Sequence, residues 1–275
     1  MQLTYSTKRV QQIQSTHLTD TLNDCLIKHY SLKSLLYSEL SNVAWAYASL
    51  GVLVQTNADH FVQAWIERSK KSPNKGIEVG DLVKLLWSFA CADMLNDQVV
   101  VQNLLMKKAT IGDLIKSRDS RTCLARMILD LTCSWRIMHG LDAPLPPCLE
   151  TLNQDGWAES LALSKMDAAL ADGSGEQVQD ELVEMGFITQ APYTTMEGIR
   201  VDALAISPID GRASVIVIHR PWVDLLSNDD HLNGAALLRH RMLLRTGLNL
   251  VEIDAREWAK LDSVARKTLL APKLA

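Results

Sequence analysis

The sequence predicts an α-helical repeat array, an α-solenoid, at the N-terminal side, followed by an α/β unit. Three observations carry this. Between residues 35 and 149 apolar residues recur with the helical period, and whole stretches of that pattern return 42 residues later. Towards the C-terminus the chain reads strand, helix, strand, the order of an α/β unit. Between the two lies Asp142-Ala143-Pro144-Leu145-Pro146-Pro147, where three prolines in four residues cannot continue a helix.

The divisions follow. Residues 1–34 form an N-terminal segment, 35–155 the helical repeats, 156–175 a connecting helix and flexible joint, and 176–275 the α/β unit. The first acidic residue is Asp20, and the stretch before it is rich in Ser, Thr and Gln, with Lys8 and Arg9. That composition fits a mitochondrial targeting segment or a disordered mature N-terminus.

Trp45 and Trp87 stand 42 residues apart, and their surroundings align at the same offset. Leu40, Val43, Ala44, Tyr47 and Ala48 match Leu82, Leu85, Leu86, Phe89 and Ala90. A further step reaches Leu124, Met127, Ile128, Leu129 and Leu131, a weaker third copy. Second helices are expected near 58–68 and 99–107, with loops at 72–76 and 118–120. One helix pair cannot bury its own apolar stripe, so stacking must supply the core. Trp45, Trp87, Tyr47 and Phe89 fall on the periodic faces and read as core.

Hydrophobic residues make up 47% and charged residues 22%, an ordinary globular balance. No apolar run approaches the roughly 20 residues that span a bilayer, so membrane insertion is not expected. The five cysteines are scattered without a CxxC pair, which reads as five buried thiols rather than disulfides or zinc. Net charge is −4, against a protein that coats nucleic acid by charge alone. From Val201 onward ten Lys/Arg face nine Asp/Glu, leaving eighteen against twenty-three for the rest. Any basic face is local and C-terminal.

The joint at Asp172-Gly173-Ser174-Gly175 precedes a helix expected over 176–185. A strand follows at 200–206, and Pro208-Ile209-Asp210-Gly211 is turn chemistry that joins it to the apolar run 215–218. The run Val215-Ile216-Val217-Ile218 is the kind of strand that is covered on both faces. A basic helix over 235–246 ends at Gly247, where a helix C-terminus needs tolerance of positive φ. A strand over 248–253 and a helix from about 257 close the chain.

These residues resemble the RAP domain, the RNA-binding module that ends FAST-kinase-domain proteins and many algal and protist organellar proteins. The resemblance rests on Asn233-Gly234, on Leu237-Leu238-Arg239 and Arg241, and on Gly247-Leu248-Asn249-Leu250-Val251. It continues through Glu257-Trp258 to Lys267-Thr268-Leu269-Leu270. SNVAWAYASLG around Trp45 is similar to the octotricopeptide-type helical repeats that precede RAP domains. The resemblance implies a restriction-endonuclease-like fold for 176–275, and an RNA-associated role in an organelle.

Nucleases of that fold hold a divalent metal between an acid on one hairpin strand and a second acid, with a lysine, on the next. Asp202 stands at the first place, but the second strand ends Val217-Ile218-His219-Arg220. Of the Glu-Val-Asp-Gly-Pro that RAP domains often carry there, Pro221 alone remains. An arginine beside a single carboxylate repels a cation, so no catalysis, metal or cofactor is expected. No P-loop, GxSxG, GxGxxG or HExxH occurs either.

RNA contact is expected from the loop and the basic helix. Arg220 and Trp222 flank Pro221 at a strand end, offering a charged plane and a stacking face. Arg241 and Arg245, four apart, share a helix face suited to phosphates. Arg239, offset by two positions, points elsewhere on the helix, and Lys267 lies in the closing helix; both complete the RNA-binding candidates. The expected function is a non-catalytic RNA-binding protein of the mitochondrion or another organelle such as a plastid. A mitochondrial ribosome component bound to rRNA, or a factor acting on organellar transcripts, fits it, with neighbouring ribonucleoprotein proteins as partners. The alternative is a subunit whose RAP fold serves only for protein docking; a metal-dependent RNA nuclease is the third reading.

Overall fold

The computed structural model describes residues 32–53, 55–71, 78–105, 121–153, 156, 158, 160–163, 172–221, 223–226 and 232–274. Residues 1–31 of the N-terminal segment, both expected repeat loops, Trp157, Trp222 and most of the expected connecting helix lie outside them. The described part is mostly helical, with a small mixed sheet in its C-terminal half.

Helix α1 (Tyr37–Ser49) starts where the Glu39 carboxylate accepts the Leu36 backbone N–H at 2.7 Å, satisfying one of the orphan donors of a helix start. It buries Tyr37, Leu40, Ala44, Tyr47 and Ala48, and ends at Gly51 with φ +69°. Helix α2 (Gln55–Lys71) returns along it and sets the Trp65 ring edge-on to Tyr37, centroids 4.5 Å apart. Each large side chain buried so completely contributes about 1.5–3 kcal/mol. Helix α3 (Val79–Cys91) is apolar nearly all round, and packs between α1 and α4 (Arg121–His139). The second helix of the next pair is a short turn, Gln98–Val100, running into a π-helical turn, Val101–Leu105. Helix α5 (Pro147–Leu152) begins with proline at its first turn, where the missing N–H costs nothing.

Polar side chains spaced by about the 42-residue offset meet across these helices. Lys84 Nζ donates to Asn42 Oδ1 at 2.8 Å, and the Ser41 hydroxyl donates to Asp81 at 3.0 Å. The Trp87 indole donates to Asp130 at 3.0 Å and is buried with it. Trp45 departs from the expected core, being 37% exposed. One step along from Trp45, the place that Asp130 holds for Trp87 is Ser88, whose hydroxyl turns back to the Lys84 carbonyl at 2.7 Å. Tyr47, Trp87 and Phe89 are buried as expected. The thiols also depart in part: Cys133 and Cys148 are buried, but Cys91 is half-buried and Cys123 exposed on α4, and none of the four is in a disulfide.

After α6 (Ser174–Glu184) come β1 (Ile188–Gln190), the short pair β2 (Tyr193–Thr194) and β3 (Arg200–Val201), then β4 (Ala203–Ile206) and β5 (Ala213–His219). Helix α7 (Gly234–Arg245), β6 (Asn249–Asp254), α8 (Ala255–Trp258) and α9 (Ser263–Leu274) complete the chain. The sheet order is β1-β4-β5-β6, with β5 and β6 parallel across the α7 crossover and the other pairs antiparallel.

Strand β5 shows how the sheet is covered. Val215 and Val217 join the core formed by the helices, while Ile216 and Ile218 join α6, α8 and α9 through Val178, Leu182, Trp258 and Leu270. Alternation along the strand sends its residues to opposite faces, and both faces are buried. The helical half and the sheet thus share one core, which also takes in Leu238, Met242 and Leu243 of α7. Helix α7 is the wedge between them. At its start the Asn233 side chain accepts the Ala236 N–H at 3.0 Å and donates to the Val223 carbonyl at 2.6 Å. Gly234 follows because α1 passes so close: a Cβ there would stand 1.7 Å from the Ala48 carbonyl oxygen.

Candidate nucleic-acid interface

Asp202 lies between β3 and β4, only 3% exposed, so its carboxylate must find partners inside the protein. Its Oδ2 accepts the Ile218 backbone N–H of β5 at 2.7 Å. Its Oδ1 lies 2.7 Å from Arg220 Nη2, an ion pair with both side chains almost fully buried. The same guanidinium reaches forward to Asp172, Nε to Oδ2 at 2.9 Å and Nη2 to Oδ1 at 3.2 Å. It also donates to the Ser174 hydroxyl at 2.9 Å and, through Nη1, to the Ile218 carbonyl at 3.1 Å.

Arg220 therefore ties three places together: the end of β5, the β3–β4 junction and the start of α6. Burial alone would raise the Asp172 carboxyl, but hydrogen bonds from Arg220 and Ser174 outweigh it and hold the group below the usual carboxylate range. The opposing pulls on Arg220 also resolve in favour of its charge. The stretch expected as a flexible joint is pinned here. Asp172 Oδ1 accepts the Ser174 N–H at 3.0 Å, which starts α6 two residues before the expected point.

The other expected cations are engaged as well. Arg239 is buried, its Nη2 donating to Asp224 at 2.7 Å, and Asp224 also accepts the Arg220 backbone N–H at 3.0 Å. Arg241 and Arg245 do share a face of α7, and that face looks towards the helical half. Arg241 donates to the Cys91 carbonyl at 2.7 Å, and Arg245 forms a two-pronged pair with Asp93. The Asp93 pair raises the Arg245 pKa further. Lys267 on α9 pairs with Glu184 and lies 3.8 Å from Glu181 of α6. Trp222 falls outside the described residues, so the structure does not place it beside Arg220.

What the arrangement can do chemically follows from this. A guanidinium already matched by a carboxylate carries little net charge to a phosphate, and Arg220 is 2% exposed. The carboxylate at the expected metal position is matched by Arg220 in place of a cation. Among the described residues no group of three or more His, Cys, Asp or Glu side chains is arranged to hold a metal ion. No helix among the described residues is long and apolar enough to cross a membrane. No family model matches the chain, and no curated protein matches it.

Sequence reasoning missed the acids that complete these pairs: Asp172, Asp224 and Asp93. Each stands in a turn, Asp172 and Asp93 48 and 152 residues from their arginines and Asp224 15 residues from Arg239, where periodicity carries no signal. It also missed Glu252 in β6, which stands within hydrogen-bond distance of both His219 and His240.

Proposed function

We propose that the protein is a non-catalytic, RNA-associated component of an organellar ribonucleoprotein, with a mitochondrial ribosome the assembly that fits best. In this reading a short α-solenoid of octotricopeptide type is followed by a RAP-like unit that keeps an endonuclease-like frame and has given up hydrolysis. The RNA-associated part rests on the family resemblance, and the observation that carries the non-catalytic part is the Asp202–Arg220 ion pair at 2.7 Å. A carboxylate held by a buried guanidinium and a backbone N–H has no oxygen left for a hard cation, which wants several such oxygens in one sphere.

The docking alternative, in which the RAP-like unit serves only protein contact, has an observation of its own. Arg220, Arg239, Arg241, Arg245 and Lys267 all have partners within the chain. RNA contact then falls to Trp222 and to cations outside these pairs.

The experiment is a titration of the full chain with single-stranded RNA across salt, beside sequencing of RNA crosslinked to it in cells. RNA association predicts enriched crosslinks and an affinity that falls as salt rises. On Trp222→Ala the RNA reading expects a cost of about 1–3 kcal/mol with little change in salt slope. Absence of both crosslinks and binding, with the protein still sedimenting in a large complex, selects the docking reading. Cleavage of RNA or DNA that needs magnesium or manganese and vanishes on Asp202→Ala overturns the non-catalytic assignment.

A further inference from the structure

A second polar cluster lies on the other side of β5, and the function proposed above makes no use of it. Glu252 in β6 accepts two hydrogen bonds on one oxygen. His219 Nε2 in β5 and His240 Nδ1 in α7 each stand 2.8 Å from Glu252 Oε1. A carboxylate only accepts, so both imidazoles carry a proton on the nitrogen that faces it. Their far sides differ. His219 is 9% exposed, and its Nδ1 is buried with no partner among the described residues. The His240 side chain is 32% exposed. The far nitrogen of His219 thus faces no acceptor among the described residues, whereas the far side of His240 is open to water.

We propose that His240 is a proton-operated latch, which when charged tightens α7 onto the sheet and with it the seam to the helical half. The place of His240 in α7 gives the latch its reach. The next residue, Arg241, donates to the Cys91 carbonyl, and Arg245 one turn on holds Asp93. Among the described residues the charged groups around it are these. Glu252 faces it from β6 and His219 from β5, while Arg241 adjoins it on α7. From α9, Lys273 Nζ donates to the Glu252 carbonyl at 2.6 Å, and Glu257 of α8 acts on that lysine. Asp254, two residues along β6 from Glu252, is occupied by Arg256.

The direction follows from linkage. The hydrogen bond to Glu252 raises the His240 pKa, outweighing burial and the repulsion of Arg241. A group raised above its unfolded value, about 6.5 for histidine, stabilises fully below that pH. That stability is lost as pH climbs through the folded value.

The test uses the full chain with labelled histidines, as wild type and as His240→Gln. His240 should titrate by NMR above a peptide histidine. The ratio of wild-type to His240→Gln unfolding constants, from urea curves between pH 6 and pH 9, should rise with pH, its limiting factor being the unfolded acidity constant divided by the folded one. Hydrogen-exchange protection across α7 and residues 88–95 should fall over the same window in wild type and not in His240→Gln. A His240 that titrates at or below the peptide value overturns the latch, and so does α7 protection that tracks pH identically in both proteins. The NMR titration needs no variant, so the proposal stays testable whether or not His240→Gln folds.

Discussion

Arg245 grips both carboxylate oxygens of Asp93, at 2.9 and 2.6 Å, across 152 residues of chain. Asp93 is the only non-glycine among the described residues with positive φ, +63°, immediately after α3 ends. The left-handed turn aims its side chain at α7, so one residue accepts backbone strain and supplies an ion pair. Both side chains are about 40% exposed, which limits the pair to about 1 kcal/mol or less.

Arg245→Ala is therefore expected to lower stability by no more than about 1 kcal/mol. Asp93→Gly loses the pair but also relieves the strain of a left-handed non-glycine, and should come out nearly neutral. A double-mutant cycle on the two positions by urea denaturation checks this. A single-substitution cost well above about 2 kcal/mol would mean the seam depends on this contact far more than its exposure allows.

The sheet half was the more legible part of the chain. Val215-Ile216-Val217-Ile218 is an uninterrupted apolar run because both faces of β5 are covered. Pro208-Ile209-Asp210-Gly211 is a turn because Gly211 takes φ +71° there. Helix α7 was readable from its C-terminal end, Gly247 at φ +76° just past it, whereas the cap at its start, Asn233, was named only for the family resemblance. Side-chain pairing was not readable. Whether Arg245 meets a phosphate or Asp93 depends on how α7 lies against α3, and no periodicity within either helix encodes that. Trp45 failed for a related reason: its apolar pattern equals that of Trp87, but only the Trp87 indole meets a carboxylate, Asp130, across the helices, and no such acid stands at the equivalent place, Ser88, for Trp45.

The Asp202–Arg220 pair should behave as buried charge. Arg220→Met strands Asp202 without a counter-charge and removes the clasp on Asp172 and Ser174, at a cost of about 3–5 kcal/mol. Asp202→Asn should cost less, because Arg220 keeps Asp172. The double variant Asp202→Leu/Arg220→Met should recover much of the loss of Arg220→Met, as apolar replacement of both partners often does. Thermal denaturation of the three proteins checks the order; a double variant less stable than Arg220→Met would show the arginine is needed for shape rather than charge balance.

The two tryptophans give opposite expectations despite equivalent places in the sequence pattern. Trp87→Ala removes a 4%-exposed side chain and leaves the Asp130 carboxylate without its indole donor, so about 3–5 kcal/mol is expected. Trp45→Ala truncates a side chain already 37% exposed and should cost about 1 kcal/mol. Urea midpoints of the two variants decide it, and equal losses would mean α1 is covered by something the described residues do not include.

The acid limb of stability is expected to run through Glu252. Burial alone would push this carboxyl up, but the hydrogen bonds from His219 and His240 outweigh it and bring it from an ordinary 4.5 down to about 2. A carboxylate depressed in the folded state contributes stability that is complete above the unfolded value and disappears as pH falls through the folded one. The window is therefore pH 4.5 down to about 2. With the side chain 29% exposed, the contribution is on the order of 2–3 kcal/mol after allowing for solvent screening. Glu252→Gln removes the titration, so its urea midpoint should change less than that of wild type between pH 5 and pH 3. The neutral amide also offers His240 no charge, so the variant should lose the excess stability that wild type shows just below pH 6.5. Parallel acid limbs in the two proteins would place the titrating carboxylate elsewhere, with Asp172, also held below its usual range, the next group to replace.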